Sequence, residues 1–380
     1  MTEQAVFKVN TTILDTEVEA VRELIGQPLR LPPPFNREAT LDTIRHYALG
    51  IGDDNPLWCD EQYGAASSYG SVIAPPTWLY STFAAGIGPG FGGLQSFHAG
   101  GTWHWLQVVR PGDRIFPEAV LTDVQRKQGK RSGEMLIQIG EVTYRNQRGE
   151  VVATHEGRRF RVPRRAKGGL SYEPKPPYQY SDDEMSAIED AVVAQTRQGA
   201  EPRHWEDVEV GETLPDRVKG PLDSATMIAY YAGNLQTMYK SADLAIKWRR
   251  FVRDHPGEVP NARPIEWQLE TTPPGMGHHD ARVAQAVGMP NTYDNGWMRL
   301  GWMSQVVTDW MGDGGFLTDL DISVRLPNVI GDTLWAHGEV TAKRISGEDH
   351  LVDIRLWADR QDGALSCDGT ATARLPSSSG

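Results

Sequence analysis

The chain repeats itself at an offset of about 220 residues, which limits it to folds that can be built from two units of one plan. Asp60 answers Asp280, Pro76 answers Gly296, and Asp113 in Pro111-Gly112-Asp113 answers Asp332 in Ile330-Gly331-Asp332. The copies differ in chemistry. At one matching position the first has Trp58 and the second His278. At another the first has Pro76, which lacks a backbone N–H, and the second has Gly296, which can donate one. This asymmetry points to the second copy as the one that does chemistry.

A length of 380 residues leaves room for two units of ordinary domain size. The hydrophobic fraction of 39% and charged fraction of 23% are those of a soluble globular protein. Two cysteines, Cys59 and Cys367, make no disulfide framework and suit a reducing cytosol. The opening MTEQAVFKVN has no basic stretch followed by an apolar one, and no run approaches the length of a membrane span. A cytoplasmic location away from the membrane is therefore expected. The formal charge of −12 argues against a nucleic-acid partner, since phosphate binding needs clustered cations. The basic run Arg126 to Arg131 lies between two alternating segments and reads as a solvated hairpin turn.

Residues 1–165 form the first unit, 166–204 a surface linker with room for one helix, and 205–380 the second unit. Each unit opens with a short amphipathic helix, carrying Leu41, Ile44, Tyr47 and Ala48 or Met227, Tyr230 and Tyr231. Next comes an irregular segment holding Asp60 or Asp280, then an apolar helix, from Pro75 to about Ala85 or from Gly296 to about Met311. The second of these is apolar nearly all round, which predicts burial on most sides. Long alternating runs at 131–146, 150–162, 332–343 and 350–359 close the units as antiparallel strands. Helices packed on antiparallel sheets make the class α+β.

Gly52-Asp53-Asp54-Asn55-Pro56-Leu57-Trp58-Cys59-Asp60 and Ile73-Ala74-Pro75-Pro76-Thr77 resemble the MaoC-like hydratase and dehydratase family, closest to the first half of its double-unit, fatty-acid-synthase-like members. His278-His279-Asp280 with Ala284, Gly288 and Gly296-Trp297-Met298 resembles the same family's second elements. The resemblance implies a double hotdog fold, each long helix wrapped by a curled sheet. It also implies reversible addition of water to a 2-enoyl thioester, usually of coenzyme A, with no metal or redox cofactor. In the family's D-x-N-P-x-H motif the Asp and His hold and deprotonate the water. An N–H at the start of the buried helix binds the thioester oxygen, and helix starts supply such donors with a partial positive charge.

Both units depart from that pattern. The first keeps Asp53, Asn55 and Pro56 but has Trp58 for the His and Pro76 for the donor, so no working dyad is expected there. The second keeps His278 and Gly296 but has Asn234 where the family has its Asp, an insertion at about 235–273, Pro273 five residues before His278, and Asn295 before Gly296. The expected catalytic group is His278 as the base, with His279 as the alternative that points inward, Asn234 orienting the water and Gly296 donating to the oxygen. Glu270 and Asp294 are the candidates for a missing carboxylate. Tyr293, Asn295 and Trp297, with Trp78 of the first unit, are expected to contact substrate. Asp280 recurs as Asp60 and reads as a helix cap.

His278-His279 lacks the i, i+4 spacing of metal-binding helices, so no metal is expected. Gly86-Ile87-Gly88-Pro89-Gly90 follows a helix and is no strand-to-helix phosphate loop. Segment 239–253, with Leu244, Trp248 and Phe251 among Lys247, Arg249 and Arg250, reads as a basic amphipathic helix that either covers a pocket mouth or packs on the sheet. Trp78, Trp103 and Trp105 of the first unit suggest that it shapes a wide apolar pocket for a bulky or aromatic acyl chain. The expectation is an enoyl-CoA-type hydratase or 3-hydroxyacyl-CoA dehydratase with an acyl-CoA substrate. An acyl-CoA-binding partner subunit and an acyl-CoA thioesterase on the same fold are the alternatives. The duplication pairs two units within one chain, and pairing into a homodimer stays open.

Overall fold

The computed structural model describes residues 12–31, 34–83, 86–91, 94–129, 133–163, 172–234, 241–255, 274–286 and 288–378. Helices α1 (Asp15–Arg22), α2 (Leu41–Gly50), α3 (Pro56–Cys59), α4 (Glu61–Ala66) and α5 (Leu79–Thr82) precede strands β1 (Gln95–Trp105), β2 (Phe116–Gly129), β3 (Gly133–Arg145) and β4 (Val151–Val162). Helix α6 (Asp182–Val193) lies within the segment read as a linker, started by a capping box of Ser181 and Glu184. The second half holds β5 (Arg217–Lys219), α7 (Ser224–Gly233), α8 (Ala242–Asp254), α9 (Ala281–Ala286) and α10 (Gly296–Met311). It ends with β6 (Phe316–Val324), β7 (Leu334–Ser346), β8 (Asp349–Arg360) and β9 (Leu365–Arg374).

The strands form one antiparallel sheet in the order β2-β3-β4-β1-β6-β9-β8-β7-β5. β2-β3-β4-β1 and β7-β8-β9-β6 are the same half-sheet, joined through β1 and β6 in five residue pairs from Gly100↔Ser323 to His104↔Asp319. This is a double hotdog. At the join Gly100 has φ +125°, and a side chain there would run into the Ile322 carbonyl, so glycine is required.

The repeat also survives as matching turns and caps. Asp113 Oδ2 accepts the Arg110 N–H and Asp332 Oδ2 the Val329 N–H, each at 2.9 Å. Asp60 Oδ1 accepts the N–H groups of Gln62 and Tyr63 at the start of α4, and Asp280 Oδ1 accepts that of Arg282 at the start of α9. Asp280 is thus a cap, since its unit-one counterpart does the same work without a histidine nearby.

Helix α10 is buried along every residue from Met298 to Met311. It packs on strands of both halves, β1 as well as β5, β6, β7 and β9. The first unit departs from expectation: in place of a long helix, a 3₁₀ turn at Pro76–Trp78 leads into the four-residue α5, and the chain turns extended at Phe83. Gly86, Gly88, Pro89 and Gly90 beyond it disfavour helix, which accounts for the early end. The predicted basic helix forms as α8, with Leu244, Ile246 and Phe251 exposed rather than packed on the sheet. Among the described residues no helix is long and apolar enough to cross a membrane.

Helices α2 and α7, equivalent in the two units, cross at their last residues. A Cβ on Gly50 would lie 2.9 Å from the Ala229 carbonyl oxygen and 3.0 Å from Gly233 Cα, and one on Gly233 would lie 2.8 Å from Gly50 Cα. Backbone cannot give way as a side-chain tip does, so the crossing depends on both glycines. Gly233→Val is expected to cost about 2 kcal/mol or more in urea unfolding, whereas Ala232→Val, on the exposed face of α7, leaves the midpoint nearly unchanged.

Candidate active site

The start of α10 is capped by Asn295, whose Oδ1 accepts the Trp297 N–H at 3.0 Å and whose Nδ2 donates to Tyr231 Oη at 3.1 Å. Among the described residues no group accepts the Gly296 N–H. A free donor at the positive end of a long buried helix suits an oxygen that gains negative charge.

His278 ends the 3₁₀ turn Pro274–His278, and its Nδ1 lies 2.8 Å from the Tyr293 carbonyl oxygen. A carbonyl only accepts, so Nδ1 carries the proton and Nε2 keeps its lone pair. Burial pushes the pKa of His278 down to about 4, so the ring is neutral at physiological pH. Tyr293 and Tyr231 hold the ring, with centroids at 4.4 and 6.2 Å. His279 turns to Tyr231, 4.8 Å away, and burial lowers its pKa too. His278 is thus in a base's tautomer, with its ring held between two tyrosines.

Three expected site residues take other roles, and Glu270 lies outside the described residues. Asp294 is no free base: its carboxylate receives Arg299 through Nε at 2.8 Å and Nη2 at 2.5 Å, and Asn328 Nδ2 at 3.0 Å. Arg299 is a cation on an otherwise buried helix and requires that carboxylate. Asn234 is the residue after α7, as Ile51 is the residue after α2, so it stands level with Ile51 and not with Asp53. Its Nδ2 bonds back to the Tyr230 carbonyl at 2.9 Å, which makes it a helix terminator. Counting on from the crossing, the residue level with Asp53 is Gln236, outside the described residues. Trp78 is 0% exposed and donates to the Thr43 carbonyl at 3.1 Å, so it offers no face to substrate.

The first unit's counterpart is filled. Trp58 and Trp105 line a slot of about 40 Å³, room for little more than water, and Trp105 donates to the Pro76 carbonyl at 2.9 Å. Trp103 stacks on Trp105 at 5.2 Å and donates to Tyr80 Oη at 2.9 Å. The tryptophans therefore pack the first unit and do not shape a wide pocket. An open cleft of about 760 Å³ lies beside this slot, lined by Arg110, Arg148 and Arg374 among others, without a base placed at a helix start. Asp53 is buried and accepts the Asn55 N–H at 3.1 Å. Burial, and then the nearby Asp309 carboxylate, push its pKa up to about 6. Asp309 itself is held by Arg217 at 2.8 Å and Arg197 at 3.2 Å.

One group at the second site escapes a reading of the sequence. His98, on β1 of the first unit, packs against the helix start: a Cβ on Gly296 would lie 2.8 Å from His98 Cγ. Its ring meets Trp297 edge-on at 5.8 Å. Neither ring nitrogen has a hydrogen-bond partner among the described residues, nor has Trp297 Nε1. Nothing in the alternation of β1 marks His98; only the join of β1 to β6 brings it to Gly296.

A family model described as "FAS1-like, dehydratase domain region" matches residues 25–155. A protein of Thermomonospora curvata named "Probable enoyl-CoA hydratase alpha subunit" is 30% identical over 160 residues, 37% of this chain and 49% of its own length. The alignment thus spans about half of that relative. A UPF0336 protein of Thermobifida fusca is 28% identical over 128 residues, covering 32% of this chain and 81% of its own. Among solved structures, a MaoC-like dehydratase superposes with a TM-score of 0.63 over 94% of this chain and 100% of its own, at 16% identity. A conserved hypothetical protein from Mycobacterium tuberculosis, described as a double hotdog, gives 0.54 over 92% and 96%, at 11% identity. The dehydratase-region match thus covers the first unit, and the solved structures share the fold over nearly the whole chain.

A structural Asp294 makes a clear prediction. Asp294→Asn leaves the buried Arg299 without its carboxylate and is expected to lower unfolding free energy by about 3 kcal/mol or more, read by urea denaturation.

Proposed function

We propose that the second unit is the working half of an acyl-thioester hydratase or dehydratase acting on 2-enoyl and 3-hydroxyacyl thioesters. The observation that carries this reading is the pairing of a neutral His278, its Nε2 lone pair free among the described residues, with an untaken Gly296 N–H at the start of the long buried helix. The first unit has Trp58 and Pro76 at the same two positions. In hydration, His278 Nε2 takes a proton from water as the oxygen bonds to C3. The electrons of the double bond move toward the thioester oxygen, which the Gly296 N–H and the helix dipole stabilise. Protonation at C2 completes the addition, and dehydration is the reverse. No metal or redox cofactor enters this scheme.

The matched dehydratase region and the relative named as an enoyl-CoA hydratase subunit support the reaction class. The first unit's helix ends at Thr82, and a glycine-rich loop follows where the second unit continues α10 to Met311. The shorter helix on the first unit's side supports a bulky acyl group.

The test is hydration of 2-enoyl-CoAs of short, long and ring-bearing acyl chains by wild type and His278→Ala. Activity is expected to favour the larger chains and to fall about 10²-fold or more in the variant. Lack of hydration by wild-type protein on every chain overturns the proposal.

The pH profile is a second check. His278 loses its lone pair only when protonated, and its pKa is lowered to about 4, so kcat/KM should hold as pH falls through 6.5 and decline only near pH 4. An acid limb near 6.5 would assign the base to a different group.

A further inference from the structure

The inner faces of the two half-sheets differ where the two units' helices differ. In the second unit the register runs Leu317↔Ala373↔Val352, all buried and apolar, beside a bulge at Leu317/Asp319. The equivalent row of the first unit, beside the matching bulge at His98/Gly100, is His98↔Arg159↔Gln138, and Ser96↔Arg161 follows it. Three apolar positions in one unit are thus polar or cationic in the other, where α5 stops short.

Arg161 is held on neutral oxygens, Gln138 Oε1 at 2.5 Å and the Gly88 carbonyl at 2.6 Å. Arg159 has no carboxylate partner among the described residues, and its bond to Ser96 Oγ is long at 3.4 Å. Beside it both nitrogens of His98 and the indole nitrogen of Trp297 lack partners among the described residues. Buried donors left unsatisfied cost about 1–3 kcal/mol each, more when charged, so the cluster calls for an acceptor that it does not contain. The row begins at His98, against Gly296, and runs away from the helix start along the first unit's sheet.

We propose that Arg159, with Ser96 and His98, is a binding subsite for an anionic oxygen group of the thioester substrate, contributed by the first unit to the site of the second. The inference rests on the proposed hydratase reading and names its substrate more closely. A carboxylate borne by the acyl chain and a phosphate of the coenzyme share the required chemistry, and Arg binds either through a planar fork.

The experiment compares wild type, Arg159→Met and Arg159→Lys on enoyl-CoAs matched in length that end in methyl or carboxylate, and on the same acyl groups carried by N-acetylcysteamine, which has no phosphate. For an acyl carboxylate, Arg159→Met is expected to raise KM about tenfold or more on carboxylated substrates of either carrier, with kcat little changed and the methyl series unaffected. Arg159→Lys, which keeps the charge if Met disturbs folding, should recover part of the loss. For a coenzyme phosphate, KM rises for every coenzyme A thioester and for no N-acetylcysteamine thioester. An unchanged KM in all four series, with Arg159→Met folded by circular dichroism, overturns the subsite. If wild type hydrates nothing, calorimetric binding of a saturated carboxylated acyl-CoA and its methyl counterpart, to wild type and Arg159→Met, decides the subsite independently. Weakened binding in the variant supports it and equal binding overturns it.

Discussion

Five residue pairs between β1 and β6 hold the rest of the molecule in place. Without that ladder each half-sheet would end in an open edge strand, with a row of unpaired N–H and C=O groups. Through it the halves become one nine-stranded sheet, and α10 is covered by strands of both. It also carries the first half of β1 past the end of β6, which sets His98 against Gly296. The candidate site is therefore composite: His278 and the helix start come from one unit, and part of its wall from the other.

Burying α10 creates a second requirement. Asp309 lies on that helix, and a carboxylate taken out of water must be paired. Arg217 from β5 and Arg197 from the segment after α6 supply the pairing, and Arg197 reaches on to Asp54 at 2.6 Å. Lys219 donates to the Gly52 carbonyl at 2.8 Å. One buried charge thereby fastens the segment between the units, the last strand of the sheet and the first unit's motif loop to the same helix. Asp53, the acid that the first unit keeps, now stands beside Asp309 with its pKa raised, and Trp58 replaces the histidine a dyad would need. The residue persists in a setting that is architectural.

Much of the fold was legible because it depends on period and offset. Alternating runs marked β3, β4, β7 and β8, and a helix apolar on nearly all sides marked α10 as buried. The join of β1 to β6 was not legible, since it pairs residues more than 200 apart with no local mark. The first unit's helix was read too long because Leu79 to Ala85 is apolar, while the glycines that stop it come just after. In the site, His278 and Gly296 stood out because each replaces a residue that cannot do the same chemistry. Asn234 directly follows its helix, as Ile51 does, and only the matching helix ends at Gly50 and Gly233 show that Asp53 stands two residues further on. Asp294 did carry a signal that went unused: Arg299 five residues on, in a helix too apolar to hold a lone cation, needed a carboxylate within reach.

The short helix and the polar inner face of the first unit explain one another. A helix continued past Thr82 over His98, Arg159 and Arg161 would press hydrocarbon onto buried cations and unpaired donors, at a cost of several kcal/mol. An apolar inner face like that of the second unit, left without its helix, would instead expose Leu and Ile to whatever filled the gap. Either change alone is destabilising, and together they leave a face that is polar and cationic beside Gly296. Gly86 and Gly88 let the chain cross it closely, with Gly86 against Arg159 and Gly88 against Arg161. A sheet that gave up its helix merely by drift would have no reason to turn polar at His98, Arg159 and Gln138 together. A sheet that receives part of a ligand in the helix's stead would.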